Sequence, residues 1–119
     1  VVGEIRATGD VVSFYSSSDK TLKTNIRTID NPMRIINNIR GVRFNWNEEA
    51  YNINNDIDLS KDEVGVIAQE IEKYLPEVIK PGLNHKMAVR YENIVAVLIE
   101  GMHEMQERIQ LLENEIIKK

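Results

Sequence analysis

The chain has no cysteine, which removes disulfides, thiolate metal sites and thiol redox chemistry together and suits a reducing compartment or a particle built without cross-links. An excess of positive charge is missing too. With 15 basic against 19 acidic side chains the net charge is −4, which argues against nucleic acid as a partner. The basic residues lean toward the front, seven against four acidic over positions 1–47 and eight against fifteen over the rest, a tilt that a solvated surface accounts for. No apolar run approaches the roughly 20 residues of a membrane helix. The start carries no basic-then-apolar signal pattern, so we expect a soluble chain with no membrane partner. His85 and His103 have no carboxylate pair at ligand spacing, and we expect no metal and no cofactor.

What remains is 119 residues, 42% of them hydrophobic, enough for one domain with a modest core that oligomerisation would enlarge. The chain starts at Val1-Val2-Gly3 without a methionine, and we read it as the C-terminal piece of something longer. Gly3–Ala7 and Val11–Tyr15 alternate like short strands around the turn signal Thr8-Gly9-Asp10, a fibre-like pattern. Asp30-Asn31-Pro32 offers a cap for a short helix from Met33 to Ile39, closed by Gly41. Val42, Phe44 and Trp46 alternate with polar residues, so residues 41–47 read as a strand that puts the single tryptophan in the core.

Residues 48–60 read as a polar loop rich in Asn and Asp, without the central glycine and terminal glutamate of a calcium-binding EF-hand. From Val64 a strand turns into a helix whose Ala68, Ile71 and Leu75 share a face, with Pro76 as the stop. Residues 77–80 and 86–90 can pair across the turn at Pro81-Gly82.

From Tyr91 onward apolar residues recur at alternating steps of four and three: Tyr91, Val95, Leu98, Met102, Met105, Ile109, Leu112 and Ile116. This is a heptad seam with Val95, Met102, Ile109 and Ile116 at a and the others at d, and it predicts parallel self-association. β-branched a with Leu at d leans toward two strands. Arg108 at g can meet Glu113 of a neighbour, while Glu104–Arg108 and Glu115–Lys119 support the helix internally.

A serine run, Ser16-Ser17-Ser18, precedes Asp19 and ends five positions before Lys23. A serine hydroxyl becomes a nucleophile when a base takes its proton, and a lysine does so only when neutral, well under about 1% of molecules at pH 7 for its free pKa of about 10.4. Lys23 therefore requires cationic neighbours, for which Lys20 and Arg27 are placed, or burial against an apolar wall around Leu22 and Ile26. On a helix positions 18 and 23 point about 140° apart, and on a strand they lie about 17 Å apart. A turn at Asp19-Lys20-Thr21, or a neighbouring chain, has to join them. Taken alone the Ser-x4-Lys spacing is also that of ordinary linkers. The pairs Glu48–Glu49 and Glu70–Glu72 read as solvated carboxylates.

Ser18-Asp19-Lys20-Thr21-Leu22-Lys23-Thr24-Asn25-Ile26, Gly41-Val42-Arg43-Phe44-Asn45-Trp46, Gly65-Val66-Ile67-Ala68-Gln69-Glu70-Ile71, Leu75-Pro76-Glu77-Val78 and Val89-x-Tyr91 occur in that order. Together they resemble the intramolecular chaperone autoprocessing domain of phage endosialidases, tail fibres and neck appendages, also found in the eukaryotic myelin regulatory factor. The resemblance covers roughly residues 16–119. It implies a homotrimer that guides folding of the fibre or tail spike preceding it and then releases itself, with Ser18 as nucleophile, Lys23 as base and Ser17–Ser18 as the bond cut. Thr21 stands where the family often has arginine. Nothing but this resemblance draws attention to Gln69 and Glu70 as residues that would pack beneath the loop between Ser18 and Lys23.

The expected fold is α+β: a β-rich fibre end over 1–17, a small mixed chaperone domain over 18–90, and a coiled-coil helix over 91–119. The seam residues Val95, Leu98, Met102, Met105, Ile109, Leu112 and Ile116 would hold the chains together. The expected setting is a phage virion precursor made in the host cytoplasm. A non-cleaving trimerisation tip, or a receptor-binding fibre tip, is the alternative.

Overall fold

A computed structural model describes residues 18–118 with their side chains and, before them, the backbone of two strands, β1 (Gly3–Thr8) and β2 (Val11–Ser16), which pair antiparallel. Gly9, Asp10 and Ser17 lie outside the described residues. Two further antiparallel pairs follow. β3 (Val42–Phe44) pairs with β4 (Glu63–Gly65), and β5 (Ile79–Pro81) with β6 (Met87–Val89), so that Ile79 faces Val89 in the second pair. Among them sit three short helices, α1 (Pro32–Ile36), α2 (Glu48–Ile53) and α3 (Ala68–Glu72), and the chain finishes in α4 (Tyr91–Lys118), 28 residues long. The fold is α+β, as the pattern of short strands and one long amphipathic helix predicts. Among the described residues no helix is long and apolar enough to cross a membrane.

The core is small because each element is short. Among the described residues, Ile71 and Leu75 from α3 and the turn after it, Val78 from the 3-10 turn Pro76–Val78, and Ile94 and Val97 from α4 form the buried core cluster. Ile35, Ile36 and Ile39 pack onto them from the α1 side. Two glycines let elements approach closely. A methyl group on Gly101 of α4 would collide with Ile36 Cδ1 of α1, and one on Gly65 would sit 2.7 Å from the Tyr91 hydroxyl. That hydroxyl accepts a hydrogen bond from the Val66 N–H at 3.1 Å, tying the start of α4 to the end of β4.

Several expectations need correction. Residues 48–53 are helical rather than loop, because the Asn47 side chain caps the Ala50 N–H at 3.0 Å and Glu48 and Glu49 fall in the first turn, where the helix dipole favours carboxylates. Trp46 is 43% exposed rather than core. The strand carrying it ends at Phe44, and the indole meets the Phe44 ring edge-on at 4.9 Å instead of entering the interior. α1 ends at Ile36, well before Gly41, and its cap position, Asn31, has left-handed backbone (φ 47°) and makes no side-chain cap bond. α3 stops at Glu72, one turn short of Pro76.

Candidate functional site

The stretch from Ser18 to Lys23 is bent by a single 3-10 turn, Lys20–Leu22, for which Asp19 is the N-cap. Asp19 Oδ1 accepts from the Thr21 N–H at 2.9 Å and from the Thr21 hydroxyl at 2.8 Å. Backbone bonds from Leu22 N–H to Asp19 O (3.1 Å) and from Lys23 N–H to Lys20 O (3.2 Å) complete the turn. Its geometric result is a contact that neither a helix nor a strand would make: Lys23 Nζ donates to Ser18 Oγ at 2.8 Å within one chain. The two bonds from Thr21, the backbone one first, hold the Asp19 carboxyl below the usual carboxylate range.

Beyond Lys23 the chain turns again at Asn25, in left-handed backbone (φ 55°), a conformation asparagine tolerates better than most residues. Arg27 donates to the Asn25 carbonyl at 3.0 Å. Residues 23–31 then form one wall of an open groove of about 830 Å³, whose other walls include Arg34, Ile35, Tyr74, Leu75 and Val97. The Arg34 guanidinium lies 5.5 Å over the Tyr74 ring.

The apolar wall expected around Lys23 does not form inside one chain. Leu22 is 55% and Ile26 64% exposed, and every residue from Ser18 to Thr28 is solvent-facing. The turn is short and stands off the core, so only an added surface could cover it. Glu70 does not serve the loop either. Its carboxylate is gripped by Arg40, Nε to Oε1 at 2.9 Å and the second nitrogen to Oε2 at 3.0 Å, which lowers its pKa chiefly through that hydrogen bond. Gln69 is exposed. Glu49 pairs with Lys86 at 2.8 Å, and His103 Nδ1 lies 3.4 Å from Glu100.

On α4 the seam residues Tyr91, Val95, Leu98, Met102, Met105, Ile109, Leu112 and Ile116 are all exposed, while Ile94, Val97 and Gly101 on a neighbouring face are buried against the domain. Glu104 and Arg108 approach to 3.6 Å, the expected internal pair; Lys119, the expected partner of Glu115, lies outside the described residues. The turn at Asp19-Lys20-Thr21 was expected from the sequence, but the bonds from Thr21 to the Asp19 carboxylate that hold it were not. An Asp followed two residues later by Thr is the signal that would have found them, since such side chains bond the backbone two positions on.

A small α+β domain with a serine hydroxyl against a lysine amine, and a helix whose heptad face the domain leaves bare, is the setting in which the comparison with known families falls. The family described as chaperone of endosialidase, Peptidase_S74, matches residues 18–80, just over half of the chain. The chain belongs to that family. A search of curated proteins gave no significant match.

Proposed function

We propose that this chain is the C-terminal intramolecular chaperone of a phage tail fibre or spike, which assembles as a homotrimer, guides the fibre's folding and then cuts itself away between Ser17 and Ser18. The observation that carries the proposal is the 2.8 Å contact between Lys23 Nζ and Ser18 Oγ, located inside the stretch the family matches. With Lys23 neutral, its lone pair takes the Ser18 hydroxyl proton as Oγ attacks the Ser17 carbonyl carbon. The Ser17–Ser18 C–N bond then breaks, its nitrogen taking the proton back, which leaves Ser17 esterified to Oγ. Water hydrolyses the ester into a Ser17 carboxylate and a Ser18 amine with its hydroxyl restored.

Trimer formation supports the chemistry as well as the folding. The seam residues of α4 from Tyr91 to Ile116 are all exposed on the single chain, the face that a coiled coil would cover. A neighbouring subunit lying over Leu22 and Ile26 would remove water from Lys23 and favour its neutral form. Alignment of the chains by α4 before the strands pair would suppress one-residue slips, each of which turns every side chain of a strand to the wrong face. Cleavage would then remove the nucleus and leave a fibre whose persistence is kinetic. β1 and β2 would be the end of that fibre.

Intact-mass measurement on freshly made protein tests the proposal. Loss of residues 1–17 from the wild type, absent in Ser18→Ala and Lys23→Ala and lost when Leu98→Asp breaks the seam, is the expected result. A wild-type chain that stays whole as a trimer would leave a non-cleaving trimerisation tip. Cutting in Ser18→Ala would remove Ser18 from the mechanism.

A further inference from the structure

The contact between Ser18 and Lys23 is only as well defined as the turn between them, and that turn has little to hold it. It buries no side chain. Its two backbone bonds, at 3.1 and 3.2 Å, are of the 3-10 type, whose geometry is poorer than that of an α-helix. The shorter bonds both end on one atom, Asp19 Oδ1, which takes the Thr21 N–H and the Thr21 hydroxyl.

We propose that Asp19 and Thr21 are positioning residues for self-cleavage: the carboxylate clamps Thr21 and so closes the turn that sets Lys23 Nζ on Ser18 Oγ. The inference rests on the proposed Ser18–Lys23 chemistry but concerns a separate pair of side chains, neither of which touches the reacting atoms. A carboxylate that accepts from both a backbone N–H and a hydroxyl favours its ionised form, in line with the lowered Asp19 pKa. Because both bonds end on one oxygen, Asp19 Oδ1, the required property is an acceptor oxygen at position 19 and a donor hydroxyl at position 21, which a neutral amide oxygen at position 19 also meets.

Pulse–chase synthesis of the full chain, with the fraction cut followed over time, reads this directly. Asp19→Ala should slow cutting by about two- to thirtyfold, the population change equivalent to losing an N-cap. Asp19→Asn, which keeps the acceptor, should stay within about threefold of wild type. Thr21→Val should slow cutting about two- to tenfold, the range of one hydrogen bond, and Thr21→Ser should restore it. Wild-type speed in Asp19→Ala, or equal slowing in Asp19→Asn and Asp19→Ala, overturns the inference. A wild type that is never cut removes the parent mechanism and the inference with it, whereas cutting that depends on Ser18 and Lys23 but ignores position 19 removes the inference alone. To separate positioning from misfolding, the Thr21 amide resonance is followed in the uncut Ser18→Ala chain. It should shift upfield with Asp19→Ala and hold with Asp19→Asn, and an unmoved resonance in Asp19→Ala is fatal to the clamp.

Discussion

Gly101 is where α1 and α4 meet most closely, and two opposing effects there can be separated by a double-mutant cycle. Gly101→Ala gains about 1 kcal/mol of helix propensity but forces its methyl onto Ile36 Cδ1. Inserting a methyl into a filled contact costs about 1–3 kcal/mol, so the single variant should be unchanged or destabilised by up to about 2 kcal/mol. Ile36→Val removes the atom in the way and alone costs about 0.5–1.5 kcal/mol. Combined, the new methyl occupies the space that Cδ1 has left, and the pair should be about as stable as the parent, a favourable coupling of about 0.5–3.5 kcal/mol. Urea unfolding in the Ser18→Ala background, at one fixed protein concentration because the proposed association would contribute to stability, supplies all four values. The next atoms, Ile36 Cγ1 and Met33 Sδ, stand at 3.7 Å, ordinary contact distance. Coupling below about 0.3–0.5 kcal/mol, the limit for independent sites, would refute the view that this single collision decides why position 101 is glycine.

Other perturbations follow from single contacts. Asn47→Ala should destabilise by about 1 kcal/mol through loss of the α2 cap, with Asn47→Asp close to neutral, read by urea unfolding. Tyr91→Phe should cost about 1 kcal/mol by leaving the Val66 N–H without its acceptor. The same change should rescue Gly65→Ala, whose methyl would meet the tyrosine hydroxyl. Asp19, Glu49, Asp58 and Glu70 all titrate below their ordinary range. Their stabilisation is present above the unfolded carboxylate pKa and is lost as pH falls through the lower folded values. The urea midpoint should therefore drop on acidification, with a flatter dependence in Arg40→Gln, where Glu70 loses its hydrogen-bonding partner; an unchanged dependence would exclude Arg40 as the cause.

What the sequence conveyed depended on how much of each signal was local. The heptad from Tyr91 to Ile116 is a sustained period, and it emerged as one helix of 28 residues. The α3 face was legible for the same reason, with Ile71 and Leu75 buried. The need for a bend between Ser18 and Lys23 followed from helix and strand geometry alone. Trp46 was misplaced because alternation over three residues cannot say whether a two-stranded ribbon has anything to cover it. α2 was missed because the Asn and Asp residues over 52–58 dominate the composition and hide a helix start, in which Asn47 caps the Ala50 N–H ahead of the good helix formers Glu48, Glu49 and Ala50. The uncovered state of Leu22 and Ile26 could not be read at all, since burial is a property of the packed chain and, in the proposed trimer, of its neighbours.

The stripe that sequence reading did not single out bears on how a coil could govern chemistry far from its axis. Ile94, Val97 and Gly101 repeat at steps of three and four and are buried on the domain, about 100° around the helix from the centre of the adjoining a/d seam. The seam faces outward while this second stripe is fixed to α1 and the core. Were the domain joined to α4 only through the β6–α4 junction, it could swing about the helix, and the dyad's position relative to a neighbouring chain would be undefined. Anchored along two turns of the helix, it takes one azimuth, so in the proposed trimer the register of the coil also sets where Ser18 and Lys23 stand against the next subunit. Gly101→Leu should therefore uncouple assembly from cutting, because it displaces α1 while leaving every a and d residue in place. The expected outcome is a chain that still sediments as the trimer yet releases residues 1–17 at least about tenfold more slowly, as expected for a misplacement remote from the reacting atoms. Unimpaired cutting in that trimer would show that the seam alone suffices and that the second stripe serves stability only.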